Sequence, residues 1–274
     1  MEFWETIWKS ILLGTVQGLT EFLPVSSSGH LVLLQRLLGY SLEGGSMTFI
    51  NIMLHFGTLI AVTLYFRKDI AALFKSPIKP LIMLLVATVP AGLAGVFLAD
   101  AIDSLFTGTY GAIYLALCFG VTALLLFSGE LTALRKKAVP SPLGWRQAVS
   151  MGLIQAVAIL PGISRSGSTI AAGTLAGGRA EEVSRFSFLM SIPIILGSVA
   201  MGLKGAIDEP GMLTAMGAAG IWGIVFGIVA AALSGYFAIK LMMRLVKKVN
   251  YKWFVLYLLL LALFSLWLNT MGIV

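Results

Sequence analysis

The sequence has few charged residues and almost no cysteine. Of its 274 residues, 11% are charged and 58% are hydrophobic, and Cys118 is the single cysteine. Soluble domains carry roughly 25% charged residues, so a chain this poor in charge cannot cover a water-facing surface, which excludes a soluble enzyme. The composition also excludes intrinsic disorder, which needs low hydrophobicity and high charge. One cysteine cannot form an internal disulfide scaffold.

The motifs of nucleotide-binding and zinc enzymes are absent as well. The sequence contains no Walker loop, no G-x-G-x-x-G, no H-E-x-x-H and no C-x-x-C pattern. The formal net charge of +7 would suggest nucleic-acid binding in a soluble protein, but it has another meaning in a chain this apolar. In a membrane protein, an excess of basic residues marks the loops that face the cytoplasm.

Long apolar runs dominate the chain. A helix needs about 20 apolar residues to cross a hydrocarbon core of about 30 Å. Six runs are predicted to be full transmembrane helices: Thr48–Phe66, Leu81–Ala101, Tyr110–Gly129, Val183–Leu203, Leu213–Ile239 and Trp253–Met271. The expected fold is an all-α polytopic membrane protein, a single membrane domain over residues 1–274. Because the early apolar run has no A-x-A site, we expect no cleavable signal peptide.

Two further apolar segments are interrupted by polar residues and are predicted to be re-entrant helical hairpins. The first, 7–38, is broken by L-P-V-S-S-S-G-H at 23–30. The second, 147–176, is broken by P-G-I-S-R-S-G-S at 161–168. A half-helix of about 13 residues reaches about 20 Å, which brings its end near the middle of the bilayer.

The basic residues support this topology. If six helices cross and both hairpins return to the face they entered, 15 of the 19 Lys and Arg residues lie on one face. These are Arg67, Lys68, Lys75, Lys79, Arg135, Lys136, Lys137, Arg146, Arg179, Arg185, Lys240, Arg244, Lys247, Lys248 and Lys252. By the positive-inside rule that face is cytoplasmic, so both termini are expected on the periplasmic or outer side.

The two interrupted segments resemble each other. The pattern G-x-x-Q at 14–17 recurs at 152–155, and S-S-S-G at 26–29 corresponds to S-R-S-G at 164–167, both at an offset of 138 residues. Each hairpin precedes three spans, which predicts repeats of about 1–130 and about 146–274. Three crossings between the copies invert the second, so the hairpins should enter from opposite faces and meet. Inverted repeats of broken helices place a binding site at their interface.

Polar residues at the interruptions form a candidate anion site. Serines suit the N-cap of each second half-helix: Ser26 or Ser27 in the first hairpin, and Ser164 or Ser166 in the second. Helix N-termini favour anions such as phosphate. Arg165 at membrane depth marks function, and its guanidinium matches phosphate oxygens. The structural alternative for Arg165 is an ion pair with Glu21.

The first hairpin supplies the acid of this site. Gln17 and Glu21 are four residues apart and share a helix face. Glu21 is interpreted as a ligand for a divalent cation or as a general base. His30 is a candidate nucleophile, acid/base or phosphate-binding hydrogen-bond donor, and the alternative is a buried structural histidine. Asn51 and His55 are interpreted as packing or hydrogen-bonding residues that border the same cavity.

Two long motifs identify a resemblance to a known family. The stretch Q-G-L-T-E-F-L-P-V-S-S-S-G-H at 17–30 resembles the [E/Q]-x-x-x-E motif and the following Pro/Ser/His loop of the undecaprenyl-diphosphate phosphatases. These are integral membrane phosphatases of the bacitracin-resistance type. The stretch P-G-I-S-R-S-G-S-T at 161–169 resembles their second motif, P-G-x-S-R-S-x-x-T. Motif order and span pattern extend the resemblance over essentially the whole chain.

The resemblance implies an activity and a location. The reaction would be hydrolysis of undecaprenyl diphosphate to undecaprenyl phosphate and phosphate. This recycles the lipid carrier for peptidoglycan synthesis and confers bacitracin resistance. The resemblance also implies a divalent cation, Mg²⁺ or Ca²⁺, and an active site open to the periplasmic side of a bacterial inner membrane.

The resemblance also assigns roles to residues. Glu21, His30, Ser27 and Arg165 would be catalytic, with His30, Ser27 or water as the nucleophile. Glu21 and Gln17 would bind the metal, although many relatives have Glu where this chain has Gln17. Together with the anion-site argument, the expected phosphate-binding set is Ser26, Ser28, Gly29, Ser164, Ser166, Thr169 and Arg165.

Two other functions fit parts of the pattern. A polyprenyl-phosphate transporter or flippase would use the same inverted-repeat site without hydrolysis, and it needs the Arg165 cation but no nucleophile. A proton or ion channel would use Glu21 and His30 as a relay, but paired helix N-termini favour anions. The expected partners are the lipid substrate and the bilayer, with no nucleic acid. A homodimer is left open.

Overall fold

Helices make up the part of the chain that the structure describes. This computed structural model describes residues 3–40, 46–107, 110–135, 141–248 and 250–272. Its α-helices are α1 (Phe3–Phe22), α2 (Ser27–Leu37), α3 (Ser46–Tyr65), α4 (Arg67–Leu73), α5 (Lys79–Thr107), α6 (Gly111–Arg135), α7 (Trp145–Val157), α8 (Arg165–Leu175), α9 (Ala180–Asp208), α10 (Pro210–Leu245) and α11 (Lys252–Thr270). No strand occurs within these ranges, in agreement with the all-α expectation.

Six of the helices are long and apolar enough to cross a membrane. They are α3, α5, α6, α9, α10 and α11, and they coincide with the six predicted spans. Their outer faces expose large apolar side chains such as Phe97, Leu233 and Leu263. Such surfaces suit the hydrocarbon core of a membrane, because an apolar side chain there is not exposed to water. The prediction of a multi-pass membrane protein with six spans is confirmed.

The two interrupted segments form two helix–turn–helix units. In the first, α1 ends at Phe22 and α2 begins at Ser27, and in the second, α7 ends at Val157 and α8 begins at Arg165. Ser26 caps α2 by accepting a hydrogen bond from the Gly29 backbone N–H at 3.3 Å. Ser164 caps α8 in the same way, accepting from the Gly167 N–H at 3.1 Å. Each unit precedes three of the long helices.

Each unit packs against a long helix of the other half of the chain. Helix α1 packs along α10, and α7 packs along α5. A Cβ added to Gly14 would overlap the backbone of Gly227. A Cβ on Gly152, at the equivalent position of the second unit, would lie 2.6 Å from the Ala87 carbonyl oxygen. Glycine at these two positions therefore lets the helix backbones approach closely, as is common in membrane helix packing.

The tips of the two units are in contact. The Ser166 hydroxyl donates to the Leu23 carbonyl oxygen at 3.0 Å. A Cβ on Gly167 would lie 3.1 Å from the Pro24 side chain, and one on Gly29 would lie 3.1 Å from the Gly162 backbone. The polar turns of both units therefore lie side by side inside the helix bundle.

Hydrogen bonds join the helix ends that carry the basic residues. Arg185 in α9 pairs with Asp69 in α4 at 3.2 Å. The Tyr251 backbone N–H, at the start of α11, donates to the Glu130 carboxylate near the end of α6 at 2.7 Å. The first contact joins the start of α9 to α4, and the second joins the start of α11 to the end of α6. Lys136 and Lys137, which the charge argument also uses, lie outside the described residues.

The α1–α10 contact gives the first testable prediction. Replacing Gly14 with Ala should destabilise the protein by about 1–3 kcal/mol, because the new methyl group overlaps the α10 backbone. Gly120→Ala is the matched control, since Gly120 lies within α6 with nothing near its Cβ position. Thermal unfolding in detergent measures both. Gly14→Ala protein that unfolds at the wild-type temperature would contradict the close-packing argument.

Candidate active site

A cavity of about 510 Å³ lies where the two helix–turn–helix units meet. Its polar lining comes from both units and from α3, α5 and α9, and consists of Glu21, Ser27, Ser28, His55, Thr88, Gln155, Ser164, Arg165, Ser191 and Ser198. The remainder of its wall is mostly small and apolar side chains of α5 and α9. The cavity thus combines a polar end between the units with an apolar wall between two long helices.

An ion pair between the two units is the centre of the polar end. Arg165 Nη2 donates to Glu21 Oε1 at 2.8 Å, and the side chains are 15% and 7% exposed. Arg165 Nη1 donates to the Ser187 carbonyl oxygen at 3.0 Å. A charge buried away from water is costly unless it is paired. The pairing considered as the structural alternative for Arg165 is therefore formed, and it places the guanidinium in the cavity wall.

Three polar side chains lie close to the second carboxylate oxygen of Glu21. Glu21 Oε2 accepts hydrogen bonds from Gln17 Nε2 at 2.9 Å and from the Ser27 hydroxyl at 2.7 Å. His55 Nε2 lies 3.6 Å from the same oxygen. Because Gln17 and Glu21 share a face of α1, the predicted pairing on one helix face is confirmed. The arrangement holds a hydroxyl group directly against a carboxylate.

The predicted phosphate-binding residues divide into two groups. Ser28, Ser164 and Arg165 line the cavity. The other four, Ser26, Gly29, Ser166 and Thr169, are outside its lining and bond within the protein. The Thr169 hydroxyl, for example, lies 2.6 Å from the Ser187 hydroxyl. Ser26 has a positive φ of 68°, a strained conformation for a residue with a side chain.

His30 does not line the cavity. Its Nδ1 lies 2.7 Å from the Ser26 carbonyl oxygen, and its Nε2 lies 2.6 Å from the Tyr257 hydroxyl. The ring stacks on Tyr257 of α11. Both ring nitrogens are therefore engaged by the protein, as expected of the structural histidine considered above, although the residue is only partly buried. The position of His30 is set by α11, and the sequence of the first hairpin carries no sign of that contact.

His55 stands nearer the carboxylate than the sequence interpretation placed it. Its Nδ1 lies 2.8 Å from the Asn51 carbonyl oxygen, which leaves Nε2 facing Glu21. Asn51 itself bonds to Gln35 Nε2 at 2.6 Å and does not line the cavity. The sequence did contain a sign that His55 belongs to the site, because it is an ionisable residue in the middle of an apolar span.

The oxygen atoms near Glu21 are ligands that suit a hard divalent cation better than zinc. No cluster of three or more His, Cys, Asp or Glu side chains occurs among the residues that the structure describes. The Gln17 Oε1 atom is buried and has no hydrogen-bond partner in those ranges. Gln17 does not line the cavity, and its Nε2 rather than its Oε1 faces Glu21, so a divalent cation that takes oxygen ligands could bind both residues only after the amide has turned over.

Comparisons with known proteins match this chain over most of its length. The sequence model of a family described as "Bacitracin resistance protein BacA" matches residues 10–264. An undecaprenyl-diphosphatase of Carboxydothermus hydrogenoformans is 38% identical over 266 residues, which is 97% of this chain and 98% of the relative. One of Methanobrevibacter smithii is 40% identical over 270 residues, or 88% of this chain and 90% of the relative. The family match therefore extends through both polar motifs, at 17–30 and 161–169.

The ion pair gives the second prediction. Glu21→Gln or Arg165→Gln alone should destabilise the protein by about 3–5 kcal/mol, because each leaves the other charge buried without its partner. The double variant should lose much less than the sum. The exposed pair Arg185–Asp69 is the control and should show a coupling of about 0–1 kcal/mol. Thermal unfolding of each double-mutant cycle measures the coupling, and additive losses at Glu21 and Arg165 would contradict the assignment.

Proposed function

Since the chain belongs to the BacA family of bacitracin resistance proteins, we propose that the Glu21–Arg165 site carries out its phosphatase reaction. The enzyme is an undecaprenyl-diphosphatase, which hydrolyses undecaprenyl diphosphate to undecaprenyl phosphate and phosphate. The observation that carries the site assignment is one cavity containing a partly buried arginine, a carboxylate and a hydroxyl bonded to that carboxylate. A reaction on a lipid headgroup explains why this site lies within a membrane protein.

The proposed topology is an inverted repeat with two re-entrant hairpins. The hairpins are α1–α2 and α7–α8, in repeats of about 1–130 and about 146–274. Three observations support this arrangement: the interrupted helices, the three long helices that follow each, and the crossed packing of the equivalent glycines Gly14 and Gly152. Irregular backbone at membrane depth is tolerated where protein buries it, which is the case at the hairpin tips.

The proposed location is a bacterial inner membrane with the site open to the periplasm. The helix ends that carry the basic residues would face the cytoplasm, as the positive-inside rule requires. Both termini would then lie on the periplasmic side. The contacts Arg185–Asp69 and Tyr251–Glu130, each between helix ends that the charge argument assigns to this face, support the proposal.

Substrate binding would use both ends of the cavity. Helices α2 and α8 begin at its polar end, where Ser27, Ser28 and Arg165 line it. The positive ends of the two helix dipoles and the guanidinium would attract the diphosphate. The prenyl chain would extend between α5 and α9, where Gly95 and Gly197 line the cavity and leave open space. The headgroup would then enter sideways from the bilayer.

The chemistry would follow from the contact between Ser27 and Glu21. The Ser27 hydroxyl, 2.7 Å from Glu21 Oε2, is placed to lose its proton to the carboxylate as it attacks the terminal phosphorus. The P–O–P bond would break and undecaprenyl phosphate would leave, and water would then hydrolyse the phosphoserine to release phosphate and restore the Ser27 hydroxyl. A water molecule bound at the same Glu21 oxygen could attack in the same way. Arg165 would stabilise the negative charge on the transferring phosphoryl group. Since protein groups engage both His30 nitrogens, the geometry favours Ser27 or water as the nucleophile.

A divalent cation would be bound by Glu21 and Gln17 together with the substrate. The unpartnered Gln17 Oε1 and the neighbouring carboxylate are the oxygen donors that Mg²⁺ or Ca²⁺ prefers. When bound, the cation would neutralise part of the diphosphate charge. The protein side chains would still position the nucleophile and the phosphate.

The third prediction concerns activity. Purified protein in detergent should release phosphate from a C55 polyprenyl diphosphate, and folded Glu21→Ala and Arg165→Ala variants should be at least about 100-fold slower, because each lacks a group that acts on the reacting phosphate. Arg185→Ala removes a surface charge outside the cavity and should keep wild-type activity. Binding of the lipid without phosphate release by the wild type would instead support a carrier.

The fourth prediction concerns the cation. Chelation should abolish phosphate release, and adding Mg²⁺ or Ca²⁺ should restore it. Gln17→Glu adds a second carboxylate beside Glu21 and should lower the cation concentration needed for half-maximal activity, whereas Gln17→Leu should raise it. Titration of activity with each cation measures this shift. Full activity after complete removal of divalent cations would reject the cation proposal.

A further inference from the structure

Gln155 is a polar residue in the cavity wall whose amide has no protein partner. It lies on α7, is 1% exposed and lines the same cavity as Glu21, Ser27 and Arg165. Neither its Oε1 nor its Nε2 forms a hydrogen bond within the described ranges. Gln147 on the same helix provides the contrast, because its Oε1 accepts from the Gly144 N–H and its Nε2 donates to the Ser141 hydroxyl.

An amide left in this state is energetically unfavourable. A buried donor or acceptor without a partner costs about 1–3 kcal/mol, so buried amides in native proteins are nearly always satisfied by protein, water or ligand. Gln155 belongs to the wall of a cavity and not to a packed core. Its two amide atoms are covered in this structure, so a bound molecule reaches them when the side chain rotates into the cavity. Its place in the cavity wall together with its unsatisfied amide therefore indicates a ligand-binding role.

The internal repeat explains why Gln155 has lost its partner. Gln155 aligns with Gln17, which donates to Glu21 one helical turn later. The residue one turn after Gln155 is Ile159, which offers no acceptor and also lines the cavity. The glutamine is thus retained in both copies, but only the first copy has a carboxylate to bind it. The second amide is left for a ligand.

The guanidinium of Arg165 does not by itself provide all the hydrogen-bond donors that a diphosphate can accept from. Arg165 Nη1 and Nη2 already donate to the Ser187 carbonyl oxygen and to Glu21. Three of the five guanidinium N–H groups are left for a ligand, whereas a diphosphate presents more acceptor oxygens than three, so further donors in the cavity wall would contribute to binding. The Gln155 Nε2 group is an uncommitted donor on the α7 side of the cavity.

We propose that Gln155 is a substrate-binding residue whose Nε2 donates to a phosphate oxygen of the polyprenyl diphosphate. Its Oε1 accepts a hydrogen bond from a water molecule in the hydrated headgroup. The inference rests on the proposed function, because it takes the ligand of the cavity to be the headgroup of that lipid. Gln155 adds a neutral donor opposite the first hairpin and so orients the diphosphate between the two repeats.

The test replaces the amide with a side chain of similar shape. Gln155→Met should lower kcat/KM for the C55 diphosphate by about 10- to 100-fold, the effect of losing one hydrogen bond to a charged group. It should weaken binding of the product, undecaprenyl phosphate, measured as the loss of thermal stabilisation by that lipid. The ligand-free variant should unfold at or above the wild-type temperature, since an unpartnered amide has been removed.

Controls separate this role from a structural one. Ser184 is also buried with an unpartnered hydroxyl but lies outside the cavity, so Ser184→Ala should retain wild-type kcat/KM and product binding. Gln155→Glu places a negative charge beside the phosphates and should weaken product binding more than Gln155→Met. Gln155→Met protein with a lowered unfolding temperature but unchanged product binding would overturn the proposal.

The two proposals fail in different ways. Wild-type protein that binds product but releases no phosphate would reject the proposed catalytic function, while the product-binding comparison would still decide the role of Gln155. Active wild-type protein together with a fully active Gln155→Met variant would reject only the role of Gln155.

Discussion

The ion pair between Glu21 and Arg165 is the interaction on which the rest of the site depends. Neither charge is tolerated in the interior of a membrane protein without a partner, and each comes from a different helix–turn–helix unit. The cavity therefore has its charged groups in place only when the two halves of the chain are packed together. The pair also orients the reactive groups, because the Glu21 oxygen opposite Arg165 is the one that accepts from Ser27.

The irregular backbone at the hairpin tips imposes a second constraint. Polar backbone groups at membrane depth need partners inside the protein. Ser26 and Ser164 supply caps, and the Thr122 hydroxyl accepts from the Ser164 backbone N–H at 3.0 Å. These bonds hold two helix N-termini at the cavity, where their dipoles favour an anion. The same broken helices that are costly to bury thus create the environment that a diphosphate requires.

Divergence of the two proposed repeats would convert a symmetric scaffold into an asymmetric site. At positions related by the offset of 138 residues, the first half has Glu21 where the second has Ile159, and the second has Arg165 where the first has Ser27. In the proposed mechanism, one half therefore provides the base and the hydroxyl, and the other provides the guanidinium. The glutamine common to both repeats is bonded in the first and unpartnered in the second.

The local sequence pattern determined much of the secondary structure of this protein. Apolar run length predicted the six spans, serine spacing predicted the N-caps, and helical periodicity placed Gln17 beside Glu21. Only the tertiary structure decided which distant groups meet. His30 is held by Tyr257 from α11, and His55 rather than His30 approaches Glu21. Periodicity describes one helix at a time, whereas these contacts depend on how separate helices pack, and that information is spread over the whole chain.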